Sequence, residues 1–288
     1  MAERVNVGHA LGVSDQAWIE AEFADSFEAC RELHECAEAH RPRRSRDDTP
    51  IIHWTLARSD RTFGMVVKLC RLGYGHQASM LNRTLFEDMI SAHFAALRPA
   101  SANRLMGWHE EYVRLRRERM YRRYGIPYRG APPPNWSGLR KRRMRALFGR
   151  GSWTGRSMPQ MVRAVETMWA EGEERASLHR MHEFWHQGLN ILLHHSARSL
   201  NYGYSVDEAG TVTFALGPSK DLVPFALGFA FWTYANVLSL TVEGDDLVEL
   251  NKLCARHWHA SPDAWLRKLI AEAASEPGAA SEPEDDMP

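Results

Sequence analysis

Apolar residues recur three or four positions apart through most of the chain, and this spacing predicts α-helices. The boundaries fall at capping residues and helix breakers. Thr49-Pro50 begins one helix, with the proline at its first position, and Arg98-Pro99 ends another. The pattern predicts helices at about residues 14–40, 50–73, 76–97, 101–125, 139–149, 159–171, 173–200, 222–242, 245–258 and 261–273.

Two stretches depart from the helical period. GIPYRGAPPPNWSG, residues 125–138, is rich in proline and glycine and predicts a break. TVTF, residues 211–214, alternates polar and apolar residues and predicts a small hairpin or extended segment near 204–216. The expected fold class is therefore all-α, a multi-helix bundle with a basic insert at about 114–156. We expect an N-terminal extension at 1–13, one helical domain at 14–270 and a disordered acidic tail at 271–288.

The stretch from Leu222 to Val242 carries no charged residue and, at 21 residues, is long enough to span a bilayer. It contains Pro224 and Asn236, and its flanks show no excess of basic residues. A helix that is apolar all round lies either in a membrane or at the centre of a large core. The sequence favours a buried core helix, with no membrane span.

Composition narrows the class of protein but names no partner. The 288 residues are 44% apolar and 25% charged, as in ordinary soluble proteins, and Lys+Arg balance Asp+Glu at 36 each. The four cysteines form no C-x-x-C pair, which favours reduced thiols over a disulfide framework. The first residues, MAERVNVGHALG, show no basic region followed by an apolar run, so we expect no signal peptide and a cytoplasmic location.

Residues His182 to His186 read HEFWH, which matches the H-E-x-x-H pattern of zinc hydrolases. One helical turn separates the two histidines, so both rings can reach one zinc ion while Glu183 activates a bound water. The metzincin extension needs a glycine and a third histidine, but Leu189 and Leu192 stand at those positions. Because a chain with fourteen histidines produces chance matches, the sequence favours helix packing, with a zinc site as the alternative.

The same helix contains Arg180 and His186 at an R-x5-H spacing, which resembles the R-x4–6-H motif of ribonucleases of the HEPN superfamily. Such a pair stabilises a scissile phosphate and transfers a proton without a metal ion. Met181 lies beside the arginine, where that motif usually has Asn, Asp or His. Arg46 and His53, in RDDTPIIH, give a second match, but it spans the start of a helix.

Arg83 and Glu87 stand one turn apart on a helix that is apolar over most of its circumference. This spacing predicts an ion pair. Phe86, Ile90 and Phe94 adjoin the same face, which indicates partial burial. The pair is either structural or part of a pocket, and the sequence leaves both interpretations open.

Residues 114–156 contain thirteen arginines and one lysine against a single acid, Glu118, with aromatic residues between them. This combination suits phosphate contacts and base stacking. The side chains expected to bind RNA or DNA are Arg140, Lys141, Arg142, Arg143, Arg145 and Trp153. The alternatives are a solvated helix face, or a patch that docks the acidic tail, which has six acids and no base from Glu272 on.

Three stretches carry, in order, a resemblance to a known family: GYGHQASMLNRTLFEDMISAHFAAL, SWTGRSMPQMV and NILLHHSARSL. They are similar to the R-x-hydrophobic-x-E helix, the Trp-x-Gly-x-Ser turn and the Ser-x-x-x-His-x-Ser stretch of a bacterial family of unknown function, numbered 5677. The likeness covers roughly residues 50–255, with Asn190 where serine is more usual. It implies an all-helical bundle whose shared polar residues are Arg83, Glu87, Trp153 and His194.

These features together predict a cytoplasmic bacterial protein that binds nucleic acid or a phosphate-bearing ligand and needs no cofactor. Its chemistry, if it is an enzyme, is expected to be metal-independent and of the HEPN ribonuclease type. The expected catalytic group is Arg83 as anion clamp, Glu87 as its orienter and His194 as acid or base. Two alternatives stay open: a zinc-dependent hydrolase that uses His182 and His186, and a non-enzymatic scaffold or homo-oligomer.

Overall fold

The computed structural model describes residues 17–40, 50–132, 135–149, 152–169, 178–183, 204–206, 212–214 and 222–257. Most of these residues are helical, which confirms the predicted all-α, multi-helix fold class. The helices are α1 Ala17–Glu22, α2 Ala24–Ala39, α3 Pro50–Arg71, α4 Gly75–Leu97, α5 Pro99–Arg123, α6 Gly138–Phe148, α7 Met158–Trp169, α8 Leu178–Met181, α9 Val223–Leu238 and α10 Gly244–Arg256.

The centre of the bundle is formed by α3, α4 and α9, which pack against one another. Helix α2 covers α9, α7 packs on α4, and α10 contacts both α2 and α9. Phe63 of α3 stacks on Tyr234 of α9, with ring centroids 4.7 Å apart. The side chains buried most deeply here include Leu85, Phe86, Met89, Ile90, Leu227 and Phe229.

Helix α9 is the uncharged stretch, and its burial confirms the predicted core helix. Two side-chain hydrogen bonds tie α9 to its neighbours: the Asn82 amide nitrogen donates to the carbonyl of Ala226 at 2.9 Å. The hydroxyl of Tyr234 donates to Asp60 at 2.9 Å. Among the described helices, none combines the length and the hydropathy that crossing a bilayer requires.

The first predicted helix is divided at Phe23, so the prediction of one continuous helix over 14–40 is wrong at this point. Phe23 has φ −117° and ψ 30°, between the end of α1 and the start of α2. Its ring packs against the main core, which the break in the helix permits. The carbonyl of Phe23 still accepts from the amide of Phe27 at 3.1 Å, so the turn is closed.

The basic segment forms a helical hairpin in which α6 folds back on α5. A second small core joins the two helices, and its buried side chains are Tyr112, Leu115, Trp136, Met144 and Phe148. The indole of Trp136 donates to Glu111 at 3.1 Å. The Ser137 hydroxyl accepts from the amide of Arg140 at 3.3 Å and caps α6. The predicted helix at 139–149 is confirmed.

Strands β1 Tyr204–Val206 and β2 Val212–Phe214 pair antiparallel, with Ser205 opposite Thr213, which confirms the predicted small hairpin. The predicted helix at 173–200 is described only at residues 178–183, where α8 is followed by a short π-helical turn. The remainder of that prediction lies outside the described residues.

Candidate functional site

A cleft of about 570 Å³ lies between α3, α4, α5 and the turn before α7. Its wall combines charged, aromatic and titratable side chains: Trp54, Arg58, Glu87, His109, Trp153 and Arg156. These residues come from widely separated parts of the sequence. Because this concave site brings together charged, aromatic and titratable side chains from three helices and a turn, we take it as the candidate site.

Arg58 is held in the cleft by a carboxylate that is completely buried. Asp88 has an exposed fraction of 0% and lies on the core-facing side of α4. The Nε of Arg58 donates to its Oδ2 at 3.0 Å, and Nη2 pairs with Oδ1. The hydroxyl of Ser59 donates to the same Oδ2 at 3.3 Å. Asp88 therefore fixes one edge of the guanidinium, in the two-point geometry that favours arginine over lysine.

Two more contacts define the environment of Arg58. Its Cζ lies 4.8 Å from the centroid of the Trp54 ring, a cation–π distance. Burial lowers the pKa of the Arg58 guanidinium, while the negative charge of Glu87 acts in the opposite direction. The group remains charged because an arginine pKa starts far above neutrality. Arg58 therefore presents a charged guanidinium, paired with Asp88, at the wall of the cleft.

A tight turn places Arg156. Gly155 has φ +70°, a backbone conformation that favours glycine. The buried hydroxyl of Thr154 accepts from the amide of Arg156 at 3.1 Å and lies 2.7 Å from the Ser152 hydroxyl. The Cζ of Arg156 then lies 5.4 Å from the centroid of the Phe94 ring. The SWTGR sequence therefore folds into a turn that fixes a second guanidinium at the cleft.

Trp153 and His109 complete the wall of the cleft. The Trp153 ring meets Phe94 edge-on, with centroids 6.4 Å apart. The ring of His109 meets Phe148 edge-on at 5.3 Å. Burial lowers the pKa of His109, and the charge of Arg116 lowers it further. His109 is therefore neutral near pH 7 and has a ring nitrogen that can accept a proton.

Of the predicted catalytic group, the structure brings together two members. Arg83 Nε lies 3.0 Å from Glu87 Oε1, as their spacing predicts, and both side chains are about one third exposed. Glu87 lines the cleft, but Arg83 does not, and the arginines that do are Arg58 and Arg156. His194 lies outside the described residues, so its place in this group stays a prediction.

The residues predicted to bind nucleic acid lie in two places. Trp153 belongs to the cleft. The others project from α6: Arg142, Arg143 and Arg145 are exposed, Lys141 is half-buried, and Arg140 lies over Trp136 with Cζ 5.1 Å from the ring centroid. Arg140 is also 3.6 Å from Glu111. The residues predicted to form one nucleic-acid-binding group therefore lie on two different surfaces, the wall of the cleft and α6.

The HEFWH motif is described at its first two residues. His182 is 3% exposed, and its ring lies 6.4 Å from that of Phe86 in the main core. Glu183 is exposed. His186 lies outside the described residues, as do Arg46 and the side chain of Arg180. Within the part of the chain that the structure describes, no three His, Cys, Asp or Glu side chains are grouped to hold a metal ion.

Sequence reasoning missed Arg58, Arg156 and His109. The signal for Arg58 was Asp88, a single acid on the buried face of an apolar helix, which requires a cationic or hydrogen-bonding partner. For His109 the signal was an R-x4-H spacing from Arg104. The structure separates that pair, since Arg104 lies over Trp108 at 5.5 Å and only His109 lines the cleft.

Comparison with known proteins adds no relative. No family model, no curated protein and no solved structure matches the chain. The membership of the bacterial family numbered 5677 therefore stays a prediction. Any functional proposal rests on the arrangement of the side chains described above.

Proposed function

We propose that the cleft binds the phosphate group of a nucleotide or nucleic acid. The observation that carries this proposal is the held guanidinium of Arg58, with one edge on the buried Asp88 and the side chain at the cleft wall. A fixed guanidinium loses little conformational freedom when it binds a phosphate, and its planar donors match phosphate oxygens.

The charges around the cleft favour an anion. Arg58 pairs with Asp88, and Arg83 pairs with Glu87, so these two pairs contribute no net charge. Arg156 makes no ion pair with any described residue and supplies a net positive charge. The anion would then meet one uncompensated guanidinium and a second whose free donors are already positioned.

The aromatic side chains favour a ligand that carries a base as well as a phosphate. Both Trp54, which is 57% exposed, and the half-buried Trp153 line the cleft. Exposed indole rings stack with nucleobases at about 1–3 kcal/mol for each base. A nucleotide uses both features of the cleft, whereas inorganic phosphate uses the arginines alone.

Binding of uridine 5′-monophosphate and of inorganic phosphate, measured by calorimetry, tests this proposal. The informative variant is Arg156→Gln, because Arg156 forms no ion pair with a described residue and its loss leaves no described charge unpaired. We expect it to weaken nucleotide binding by about tenfold or more, as the loss of a charge-assisted hydrogen bond predicts. Lys252→Gln removes an equal charge from the exposed face of α10 and is the control. Wild-type protein that binds neither compound would overturn the proposal.

If the protein is an enzyme, we propose metal-independent cleavage of a phosphodiester as its reaction. The neutral His109, which lines the same cleft as Arg58 and Arg156, favours this chemistry, because the histidine can accept a proton while the guanidinium groups stabilise charge on the phosphate. Labelled RNA incubated with a chelator tests it. Loss of cleavage in His109→Ala would assign the proton acceptor to the cleft, and loss in His194→Ala would support the catalytic role predicted for that residue.

A further inference from the structure

One side of α5 leads out of the cleft along the basic hairpin. Met106 and His109 line the cleft. Successive residues of an α-helix are rotated by about 100°, so residues three, four or seven positions apart lie on the same side of the helix. The residues on the side of His109, from there to the end of α5, span an arc of about 100°. We name this set the α5 row, and it consists of His109, Val113, Arg116, Arg117, Met120 and Tyr124.

The α5 row is exposed beyond the cleft. Arg116 and Arg117 are exposed, and the exposed fractions of Met120 and Tyr124 are 50% and 69%. Ile126, which follows the end of α5, is 52% exposed. The buried stripe of α5 that packs on α6 lies beside this row and leaves it uncovered. The surface therefore combines guanidinium groups with large apolar and aromatic side chains.

The row is continuous with the cleft in space as well as in sequence. The positive charge of Arg116 is close enough to lower the pKa of His109, which lies in the cleft wall. From His109 to Arg123 the helix rises about 21 Å, at about 1.5 Å for each residue. This length is enough for several nucleotides of a single strand.

We propose that the α5 row binds an extended single strand of nucleic acid, one phosphate of which lies in the cleft. This inference rests on the function proposed for the cleft. Arg116 and Arg117 contact the backbone of the strand, and its bases pack on Met120 and Tyr124. The row favours a single strand because a duplex keeps its bases stacked inside and leaves exposed apolar side chains without a partner.

The experiment compares two probes, uridine 5′-monophosphate and a fluorescent oligouridylate of about eight nucleotides. The test variant is Arg116→Gln with Arg117→Gln. At about pH 8, where His109 is neutral with or without the Arg116 charge, we expect oligonucleotide affinity to fall on the order of tenfold at low salt and mononucleotide affinity to stay unchanged. The slope of log affinity against log salt should become shallower by about 1.4, since each lost phosphate contact on a single strand contributes about 0.7. Tyr124→Ala should weaken oligonucleotide binding without changing this slope.

The control removes two exposed charges elsewhere, by Lys68→Gln with Lys252→Gln, and should leave oligonucleotide affinity within about twofold of wild type. If the mononucleotide binds and the oligonucleotide binds no more tightly, the proposal for the α5 row is overturned and the proposal for the cleft stands. Absence of mononucleotide binding would overturn both proposals. Three further results would contradict binding of a single strand along the α5 row. These are equal affinity for duplex RNA, tighter binding to anionic phospholipid vesicles, and a larger loss of oligonucleotide affinity in Arg142→Gln with Arg143→Gln than in the test variant.

Discussion

The guanidinium of Arg58 and the carboxylate of Asp88 form an ion pair that is buried on one side only. The exposed fraction of the Asp88 side chain is 0%, whereas that of Arg58 is 45%. If Arg58 is replaced by Met, Asp88 keeps a buried charge, and among the described residues the hydroxyl of Ser59 is the donor that remains. We expect Arg58→Met to lower the free energy of unfolding by about 3–5 kcal/mol, measured by urea denaturation.

The adjacent pair provides a matched control for this prediction. Arg83 and Glu87 are both partly exposed, so Arg83→Met should lower the free energy of unfolding by at most about 1 kcal/mol. Combining Arg58→Met with Asp88→Leu should recover most of the lost stability, because no buried charge remains. Nucleotide binding should stay weak in that double variant. Equal losses of unfolding free energy in Arg58→Met and Arg83→Met would contradict the greater importance of the pair with the buried carboxylate.

Gly155 controls the turn that carries Arg156. A Cβ added at Gly155 would lie 2.4 Å from Leu147 Cδ1, and the residue has φ +70°. Gly155→Ala should therefore lower the free energy of unfolding by about 1–3 kcal/mol and weaken nucleotide binding. Gly107, inside α5, is the control, because a Cβ there meets nothing within 4 Å. Gly107→Ala should raise stability by about 0.5–1 kcal/mol, so a loss in both variants would show that alanine is harmful for another reason.

The helices could be predicted because their signals are local. Pro99 marks the boundary between α4 and α5, and the uncharged stretch from 222 onward predicts the buried α9. The break at Phe23 has no comparable signal, since no glycine or proline stands there. The ring of Phe23 packs against the main core, and the helical period of the sequence does not contain this contact.

The site could be predicted only where its contacts are local. Arg83 and Glu87 are four positions apart on one helix, so their spacing predicts the ion pair. Arg58 and Asp88 are 30 positions apart on two helices, and the packing of α3 on α4 decides that they meet. Arg156 reaches the same cleft through a turn whose geometry depends on hydroxyl contacts.

His182 gives a prediction for the zinc alternative. Its ring is buried beside Phe86, so we expect the ring to contribute to core packing and to bind no zinc. Elemental analysis of tag-free protein should give far less than one zinc per chain, and His182→Ala should lower the melting temperature. About one zinc per chain, lost in both His182→Ala and His186→Ala, would contradict this expectation. Glu183→Gln should then retain the metal and lose hydrolysis.

His93 gives a prediction for the pH dependence of stability. Its Nε2 lies 3.0 Å from the carbonyl oxygen of Asn236, which can only accept, so this nitrogen donates. Burial lowers the pKa of His93 from 6.5 to about 4, against the smaller opposite effect of that hydrogen bond. Between these two values the unfolded chain binds a proton that the folded chain does not. The stabilising contribution is therefore complete above about pH 6.5 and is lost as the pH falls toward 4.

His93→Gln isolates this contribution, because glutamine has an N–H donor and does not titrate. Lowering the pH from about 7 to about 5 should reduce the unfolding free energy of the wild type by about 2 kcal/mol more than that of the variant. Urea denaturation at the two pH values measures the difference, and the carboxylates that also titrate affect both proteins alike. Parallel pH dependence of wild type and His93→Gln would show that His93 is protonated in the folded protein as readily as in the unfolded chain.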